Sequence, residues 1–164
     1  MTAIVAVTGF LLLFTAYFVY TTVFGPQVIS NGPQVPAMAI EVSGQETFDY
    51  VEGDSIALYH ATGDELATEN IQIEIEDSNG IVVSNFSADN GWTDSVNDGT
   101  PVLKATLDGS VPANDTFAPG DTFVIEVEDD MDLEAELTPG EEYTIRIVHQ
   151  PTGSTPAERT IELP

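Results

Sequence analysis

The N-terminal 25 residues, MTAIVAVTGFLLLFTAYFVYTTVFG, contain no charged side chain. As an α-helix, the stretch from Ala3 to Phe24 would span roughly 33 Å, which matches the hydrocarbon core of a bilayer. Each large apolar side chain gains about 1.5–3 kcal/mol by staying out of water. The sequence therefore predicts a long hydrophobic α-helix over residues 1–25 that lipid or protein must cover.

Three origins are compatible with such a segment. A cleavable secretory signal has a basic region and a shorter apolar run that ends in small residues. A single-pass anchor normally carries Lys or Arg on its cytoplasmic side, whereas only Met1 and Thr2 precede the apolar stretch here. The third origin is a mature N-terminus left after removal of a basic leader, as in class III signal sequences, and the composition favours it.

Small and hydroxyl-bearing residues recur along this segment. Thr8, Thr15 and Thr22 are spaced seven residues apart, so they lie on one slowly drifting stripe of a helix. Such residues let apolar helices approach closely, although threonine is also simply tolerated inside membranes. We expect the helix to pack against copies of itself in a polymerisation core. The predicted contact residues are Ile4, Val7, Gly9, Phe10, Leu13, Phe14, Thr15, Tyr17, Phe18 and Phe24.

Proline and glycine crowd the stretch that follows, FGPQVISNGPQVPA. Proline ends a helix and drives the preceding residue toward extended backbone, so this stretch predicts a semi-rigid hinge linker. The hinge residues are Gly25, Pro26, Gly32, Pro33 and Pro36. The predicted division is therefore a helix over 1–25, a linker over 26–36 and a head domain over 37–164.

Beyond residue 36 the hydrophobic period changes to two, which is typical of β-strands. In IQIEIE, for example, Ile71, Ile73 and Ile75 are predicted to face the core. Many short strands with little helix between them indicate an immunoglobulin-like antiparallel sandwich, with a barrel as the alternative. The predicted fold class is α+β: a long N-terminal hydrophobic α-helix followed by this all-β sandwich. Strands are predicted at 37–42, 47–51, 55–61, 71–76, 80–86, 102–107, 122–128, 142–148 and 159–163.

Acidic residues dominate the charge. The chain has 28 Asp and Glu against three Lys and Arg, a net charge of −25. Such a surface repels nucleic acid and anionic lipid, so neither is expected to bind the head. Carboxylates keep a protein hydrated in strong salt, which favours a halophilic protein over an acidic protein of moderate salinity. The absence of cysteine excludes disulfides, thiolate catalysis and cysteine metal sites.

Motifs for catalysis or cofactor binding are absent from the sequence: there is no GxSxG, no phosphate-binding glycine loop and no HExxH. His60 and His149 each stand alone in a predicted strand and are predicted to be structural. We therefore predict that the chain is not an enzyme and has no catalytic or metal residues and no cofactor.

The loop ADNGWTDSVNDG, residues 88–99, gathers side-chain oxygens of the kind that calcium uses. Its spacing does not match an EF-hand, and acidic turns are common in so acidic a chain, so a solvated turn is favoured over a cation site. The same loop carries Trp92, for which burial in the core is favoured over exposure for stacking on a sugar.

Two sequons, Asn85-Phe86-Ser87 and Asn114-Asp115-Thr116, are candidate glycosylation sites on a translocated chain. Asn114 is the stronger candidate because its surroundings, VPANDTFAPG, are typical of an exposed loop.

Three stretches of the chain together resemble haloarchaeal type IV pilins. The FGPQVISNGPQVP joint is similar to the family's transition from an apolar helix to the head. DSIALYHATGDELATENIQIEIED is similar to its strand, H-x-x-G-D turn and following strand, and LTPGEEYTIRIVHQPTGSTPAERTIELP to its terminal hairpin. The N-terminus departs from the family, since MTAIVAVTGF lacks its usual S-P-V-I-G stretch, and Val5 stands where bacterial type IV pilins have Glu.

The resemblance implies a structural subunit of an extracellular archaeal adhesion pilus. A prepilin peptidase would process the chain, its helix would hold it in the cytoplasmic membrane before assembly, and an ATPase with an assembly platform would extrude a helical homo-oligomer. Helices would form the filament core and acidic heads its surface, with adhesion as the expected role. The alternatives are a single-pass surface protein with a ligand-binding sandwich, or an archaellin-type subunit of a swimming filament.

Overall fold

The structure, a computed structural model, describes residues 34–48, 51–94, 103–128 and 137–164. These residues form ten β-strands joined mostly by tight turns. The strands are β1 (Met38–Ser43), β2 (Ser55–Gly63), β3 (Leu66–Ala67), β4 (Ile71–Asp77), β5 (Val82–Ser87), β6 (Leu103–Leu107), β7 (Thr116–Phe117), β8 (Thr122–Val127), β9 (Glu142–His149) and β10 (Ser154–Glu162).

The predicted α+β class is wrong. Of the described residues, 55% are strand and 8% are helical, and the helical part consists of 3₁₀ turns at Gln45–Thr47, Thr68–Asn70 and Ala88–Asn90. Buried and exposed side chains alternate along most strands, and a period of two cannot line one face of an α-helix. The long helix was predicted at residues 1–25, which lie outside the described residues.

Two four-stranded sheets make up most of the described chain. The first sheet has the order β1-β2-β8-β6 and the second sheet has the order β10-β9-β4-β5. Each neighbouring pair is antiparallel, and β3 and β7 form a separate two-stranded sheet. Immunoglobulin-like sandwiches place strands A, B, E and D on one sheet and G, F and C on the other. The observed order is the same, with β5 added beside β4.

Alternate residues from both sheets meet in one hydrophobic core. Ile71, Ile73 and Ile75 are each at most 1% exposed, which confirms their predicted inward orientation. Trp92 is also buried and stacks on Phe123 with ring centroids 5.1 Å apart, which confirms its predicted place in the core. Each fully buried large side chain contributes about 1.5–3 kcal/mol, so the strands are held together mainly by this core.

Periodicity located the longer strands and failed at the shortest elements. The strand predicted at 47–51 is wrong in its described part, because Gln45–Thr47 is a 3₁₀ turn and Phe48 is buried without belonging to a strand. β10 begins at Ser154, earlier than the predicted residue 159, and includes Pro156. β3 and β7 were not predicted, because two residues are too few to show a period.

Tyr143 links the start of β9 to the turn before it. The backbone N–H of Thr138 donates a 2.7 Å hydrogen bond to the Tyr143 phenol oxygen, and Tyr143 is 4% exposed. β9 occupies the place of strand F, and a tyrosine bonded there to upstream backbone is the tyrosine corner of immunoglobulin-like domains. This contact fixes the connection that leads into β9.

Both edges of the first sheet are partly covered. Beside β6, Thr93 forms an isolated antiparallel bridge with Lys104. Beside β1, the Arg159 Nε–H donates a 3.0 Å hydrogen bond to the Ile40 carbonyl and so connects β10 to β1. Because open strand edges are templates for unwanted pairing, these contacts protect the first sheet from adding strands.

Candidate functional site

Most residues predicted for polymerisation and for the hinge fall outside the described residues. This applies to all ten predicted contact residues and to Gly25, Pro26, Gly32 and Pro33. The exception is Pro36, which is buried. The described chain therefore shows the point at which the predicted linker meets the head.

A pair of hydrogen bonds holds the chain at that point. The Ala37 N–H donates to Asp64 Oδ2 at 3.0 Å, and the Asp64 N–H donates to the Ala37 carbonyl at 2.9 Å. Gly63, the last residue of β2, has a φ of +119°, and a Cβ there would lie 2.4 Å from the Ala37 carbonyl oxygen. We call Ala37, Gly63 and Asp64 the junction clasp.

The junction clasp joins the incoming chain to two strands of the first sheet. β1 starts immediately after Ala37, and Asp64 follows the end of β2 directly. Pairing of β1 with β2 then runs from Met38 opposite Gly63 to Ser43 opposite Ala57. A load applied at Ala37 would thus be shared between the edge strand β1 and its neighbour β2.

Gly63 and Asp64 belong to the HATGD stretch that carries part of the family resemblance. Sequence reasoning treated that stretch as a turn and did not assign it a function. The available signal was a glycine followed by an acid at the end of a strong strand pattern. The partner, Ala37, lies 27 residues away, and only the pairing of β1 with β2 brings it close.

The outer face of the second sheet carries a row of polar side chains across its four strands, and three of them are charged. Glu158, Arg146, Glu74 and Asn85 are successive cross-strand partners on β10, β9, β4 and β5. We call these four residues the acidic row. Arg146 Nη1 lies 2.5 Å from Oε1 of Glu76, and its Nε lies 3.5 Å from Oε2 of Glu158.

The Arg146 guanidinium therefore interacts with three carboxylates on this face. It contacts Glu76 and Glu158 directly, and its charge also acts on Glu74. Glu76 is 8% exposed and has the short contact, whereas the Glu158 side chain is 63% exposed and its contact is longer. Burial, followed by repulsion from Glu76, raises the pKa of Glu74, and the positive charge of Arg146 opposes this shift only in part. The charge of ionised Glu74 is thus only partly compensated by Arg146.

The other two basic residues also make contacts within the chain. Lys104 Nζ lies 2.7 Å from Glu128 Oε1, and this hydrogen bond, followed by the charge of Glu128, raises the pKa of Lys104. Arg159 donates to the Ile40 carbonyl. Since the sequence contains only three Lys and Arg, and Lys104 and Arg146 already pair with carboxylates of their own chain, little positive charge remains to offset other carboxylates.

The two sequons have different surroundings. Asn114 is exposed in the loop before β7, with a φ of +56°. Asn85 lies half-buried within β5, and its Oδ1 accepts a 3.2 Å hydrogen bond from Asn90 Nδ2. Ser87, in the same sequon as Asn85, is buried and caps a 3₁₀ turn. Asn114 is therefore much more accessible to a modifying enzyme.

Asn90 organises the described part of the loop at residues 88–99, where the sequence offers side-chain oxygens of the kind that calcium uses. Its Oδ1 accepts hydrogen bonds from the N–H groups of Ser87 and Trp92, at 2.9 and 3.2 Å. Its Nδ2 donates 2.9 Å to the Asn85 carbonyl. The Asn90 oxygen is thus committed to backbone donors. Within the ranges that the structure describes, no group of three or more His, Asp or Glu could hold a metal ion.

The two histidines lie in different environments. His60 is fully buried against the Phe117 ring, with centroids 4.8 Å apart, and neither of its ring nitrogens has a hydrogen-bond partner among the described residues. His149 Nδ1 lies 2.8 Å from Thr152 Oγ1 in the β9–β10 turn. His60 therefore acts as a core side chain and His149 as part of a turn.

A groove of about 270 Å³ lies between the β4–β5 turn and the start of β9. Asp77 lines it, but the N–H groups of Asn79 and Ile81 already donate to Asp77 Oδ1 at 2.9 and 2.8 Å. The bond from Ile81 is the main reason that the pKa of Asp77 lies below its usual value. The carboxylate closes a hairpin turn, and the sequence Asp-Ser-Asn-Gly is typical of such turns.

Within the described ranges, helices are all too short or too polar to span a membrane. No protein-family model matches the sequence, and no curated protein matches it.

Proposed function

We propose that this chain is the structural subunit of an extracellular filament of the type IV pilus class. Its apolar segment, residues 1–25, associates with the same segment of other copies, and its acidic sandwich forms the filament surface. The observation that carries the proposal is the uncharged 25-residue segment joined to a head with a net excess of carboxylates. These two parts require opposite surroundings, and a filament with an apolar centre and a wet surface supplies both.

The hydrophobic core of the head supports these separate roles for residues 1–25 and the sandwich. Its hydrophobic core draws members from Ile40 to Leu163, so the sandwich builds a core from its own strands. Each large apolar side chain of residues 1–25 still costs about 1.5–3 kcal/mol to expose to water. Lipid can cover the segment before assembly, and exchange of lipid for identical segments changes hydrophobic burial little, so that packing decides the association.

The junction clasp supports a load-bearing role. A filament transmits tension from each subunit's centre to its surface, and that tension enters the head at Ala37. Two hydrogen bonds to Asp64 and the β1–β2 pairing receive it there. The contacts between copies are heterologous in this proposal, because such contacts do not close and therefore give an open filament.

The proposed partners and location follow the family resemblance. A prepilin peptidase processes the chain, and an ATPase with its assembly platform moves it from the cytoplasmic membrane into the filament. The acidic heads keep filaments apart in salt, and the outer surface adheres to other cells or solids. The role assigned is structural, with no catalytic step.

Electron microscopy of material sheared from cells that express the chain tests the proposal. We expect filaments that contain the chain, identified by mass spectrometry of the same fraction. Recovery of the protein only in membrane vesicles would contradict a filament and favour a membrane-anchored surface protein.

A pair of variants sharpens the test. Phe14→Asp places a charge in the predicted polymerisation core, and we expect it to abolish filaments without changing Trp92 fluorescence. Val111→Asp makes the same kind of change at a head position that is 48% exposed, and we expect normal filaments. Normal filaments from Phe14→Asp would overturn the assignment of residues 1–25.

A further inference from the structure

Among the edge strands of the two four-stranded sheets in the described ranges, β5 differs from the rest in composition. Its sequence, VVSNFS, contains no charged residue and no proline. The other three edge strands carry charged residues: Glu41 on β1, Lys104 on β6 and Glu158 on β10. Charge and proline protect an exposed edge from pairing with other chains, and an uncharged segment rich in valine and phenylalanine invites such pairing. The edge of β5 therefore has to be closed by another part of the molecule.

The side chain of Asn90 occupies the place beside β5 that a neighbouring strand would take. Asn85 and Ser87 are two residues apart on β5, so their backbone groups point to the same side, away from β4. Asn90 Nδ2 donates to the Asn85 carbonyl at 2.9 Å, and the Ser87 N–H donates to Asn90 Oδ1 at 2.9 Å. One side-chain amide thus supplies the donor and the acceptor of a strand. We call residues 88–94 the edge segment.

The edge segment also covers β6. The Trp92 N–H donates to the Ser87 carbonyl at 2.9 Å, and the Trp92 carbonyl accepts from the Ala105 N–H at 2.8 Å. The Asp94 N–H donates to the Leu103 carbonyl at 3.0 Å. Because β5 ends the second sheet and β6 ends the first, the edge segment closes one side of the sandwich across both sheets.

Packing, and not local preference, holds the edge segment in this course. Gly91 and Trp92 both have left-handed backbone, with φ of +69° and +63°. That conformation is unfavourable for a side chain as large as tryptophan. Trp92 is buried and stacks on Phe123, so the hydrophobic core offsets the unfavourable backbone.

We propose that the edge segment is an intramolecular block on strand addition and that Asn90 is the residue that closes β5. The block keeps β5 from pairing with extended chain, and in a purified preparation the only extended chain available is that of other copies. The proposal concerns the sandwich alone and holds whether or not the chain forms a filament. In a filament the block matters most, because association of residues 1–25 raises the effective concentration of heads to the millimolar range.

Asparagine replacement in the full chain, dispersed in detergent, tests the proposal. Asn90→Ala removes the amide from the edge of β5. Asn79→Ala is the matched control, because Asn79 also precedes a glycine and lies in the turn at the other end of β5, where its Nδ2 donates to Asp77 Oδ2. Association through residues 1–25 is common to both variants, so any excess over the control belongs to the head.

We expect two changes in Asn90→Ala. Hydrogen exchange at the Ser87 amide should be at least tenfold faster than in the control at micromolar protein, while the buried strand residues Ile145 and Ile147 stay protected and report a folded core. Sedimentation velocity should show complexes larger than those of the control, in a share that grows with protein concentration. The Ser87 amide should regain protection as these complexes form.

Sedimentation equal to that of the control from a folded Asn90→Ala would overturn the proposal. Faster exchange without larger complexes would overturn it as well, because Asn90 would then only order its own turn. If Asn90→Ala does not fold, Asn90→Ser decides by the same two measurements, since a serine hydroxyl is too short to bond Ser87 and Asn85 together.

A charge on β5 gives an independent readout. Asn85→Lys in the Asn90→Ala background gives the strand the kind of protection that edge strands commonly carry. We expect the larger complexes to disappear while the Ser87 amide keeps its fast exchange. Complexes that persist in the double variant would show that they do not form through β5, which would contradict the proposal.

Discussion

Ala37 and Asp64 are joined by two hydrogen bonds, one from each backbone N–H, where the chain enters the sandwich. Asp64→Ala removes the carboxylate that accepts from Ala37, and we expect a loss of about 1 kcal/mol in the free energy of unfolding. Asp64→Asn keeps an acceptor oxygen and should lose less than half of that. Urea unfolding followed by the fluorescence of Trp92, the only tryptophan, measures both. Equal losses for the two variants would show that the hydrogen bond is not the cause.

We expect a side chain at Gly63 to destabilise the fold more than a side chain at Gly120, a glycine with a similar φ. In Gly63→Ala the new Cβ would lie 2.4 Å from the Ala37 carbonyl oxygen, so backbone has to move. Gly120 has a φ of +109°, and a Cβ there meets nothing within 4 Å. We expect Gly120→Ala to cost about 1–2 kcal/mol, the ordinary penalty of a left-handed backbone, and Gly63→Ala to cost more than this. Similar unfolding midpoints for the two variants would contradict the close approach.

Removal of the Tyr143 hydroxyl should destabilise the turn before β9. Tyr143→Phe leaves the Thr138 N–H without its acceptor, and we expect a loss of about 1 kcal/mol in the free energy of unfolding. Tyr59→Phe removes a hydroxyl from a tyrosine that is 41% exposed and should change stability by less than about 0.5 kcal/mol. Chemical unfolding of the two variants side by side tests this, and equal effects would refute a tyrosine corner that stabilises the fold.

The acidic row should make stability depend on the protonation of Glu74. Burial and Glu76 raise the pKa of Glu74 in the folded state, so the folded protein disfavours its ionised form. A raised carboxyl pKa gives a contribution to stability that is present at low pH and lost as pH rises through the folded pKa. We therefore expect Glu74→Gln to stabilise the head at pH 7 by about 0.5 kcal/mol, the scale of a screened surface interaction.

The stabilisation by Glu74→Gln should disappear at a pH below about 4, where the wild-type carboxyl is protonated in the folded and the unfolded protein. Glu41→Gln removes one negative charge from the outer face of the first sheet and tests whether net charge alone explains the effect. Thermal unfolding of the three proteins across pH measures the difference. A stabilisation by Glu74→Gln that persists unchanged at pH 3 would contradict the assigned cause.

Asn114 is expected to carry a glycan on cell-derived protein, and Asn85 is expected to remain unmodified. An acceptor asparagine must reach the active site of another enzyme, and Asn114 is exposed in a loop whereas Asn85 is half-buried in β5. Peptide mass spectrometry should find added mass on the peptide that contains Asn114, and Asn114→Gln should abolish it. Added mass on Asn85 alone would reverse this assignment.

Local patterns were sufficient for much of the fold. IQIEIE predicted both β4 and its inward isoleucines, because the two-residue period of a strand is visible wherever one face is buried. Pro-Gly and Asp-Gly pairs are typical of turns, because left-handed backbone favours glycine, and Gly109, Gly120 and Gly140 all have a positive φ. The same local reasoning failed at Phe48, since a buried aromatic residue beside a 3₁₀ turn resembles a strand residue in sequence.

The groups that matter most for the proposals depend on contacts between distant parts of the chain. Arg146 meets Glu74 and Glu76 only because β4 lies beside β9, and Asp64 reaches Ala37 only because β1 returns along β2. Nothing in a strand's period identifies its neighbour, since many pairings bury the same apolar face.

Composition and periodicity thus decided which residues avoid water, which carry charge and where the chain turns, because each of these properties belongs to a residue and its nearest neighbours. Tertiary structure decided which distant side chains meet. Strand order brings Glu158, Arg146 and Glu74 into one row, and that order arises from packing across the whole core.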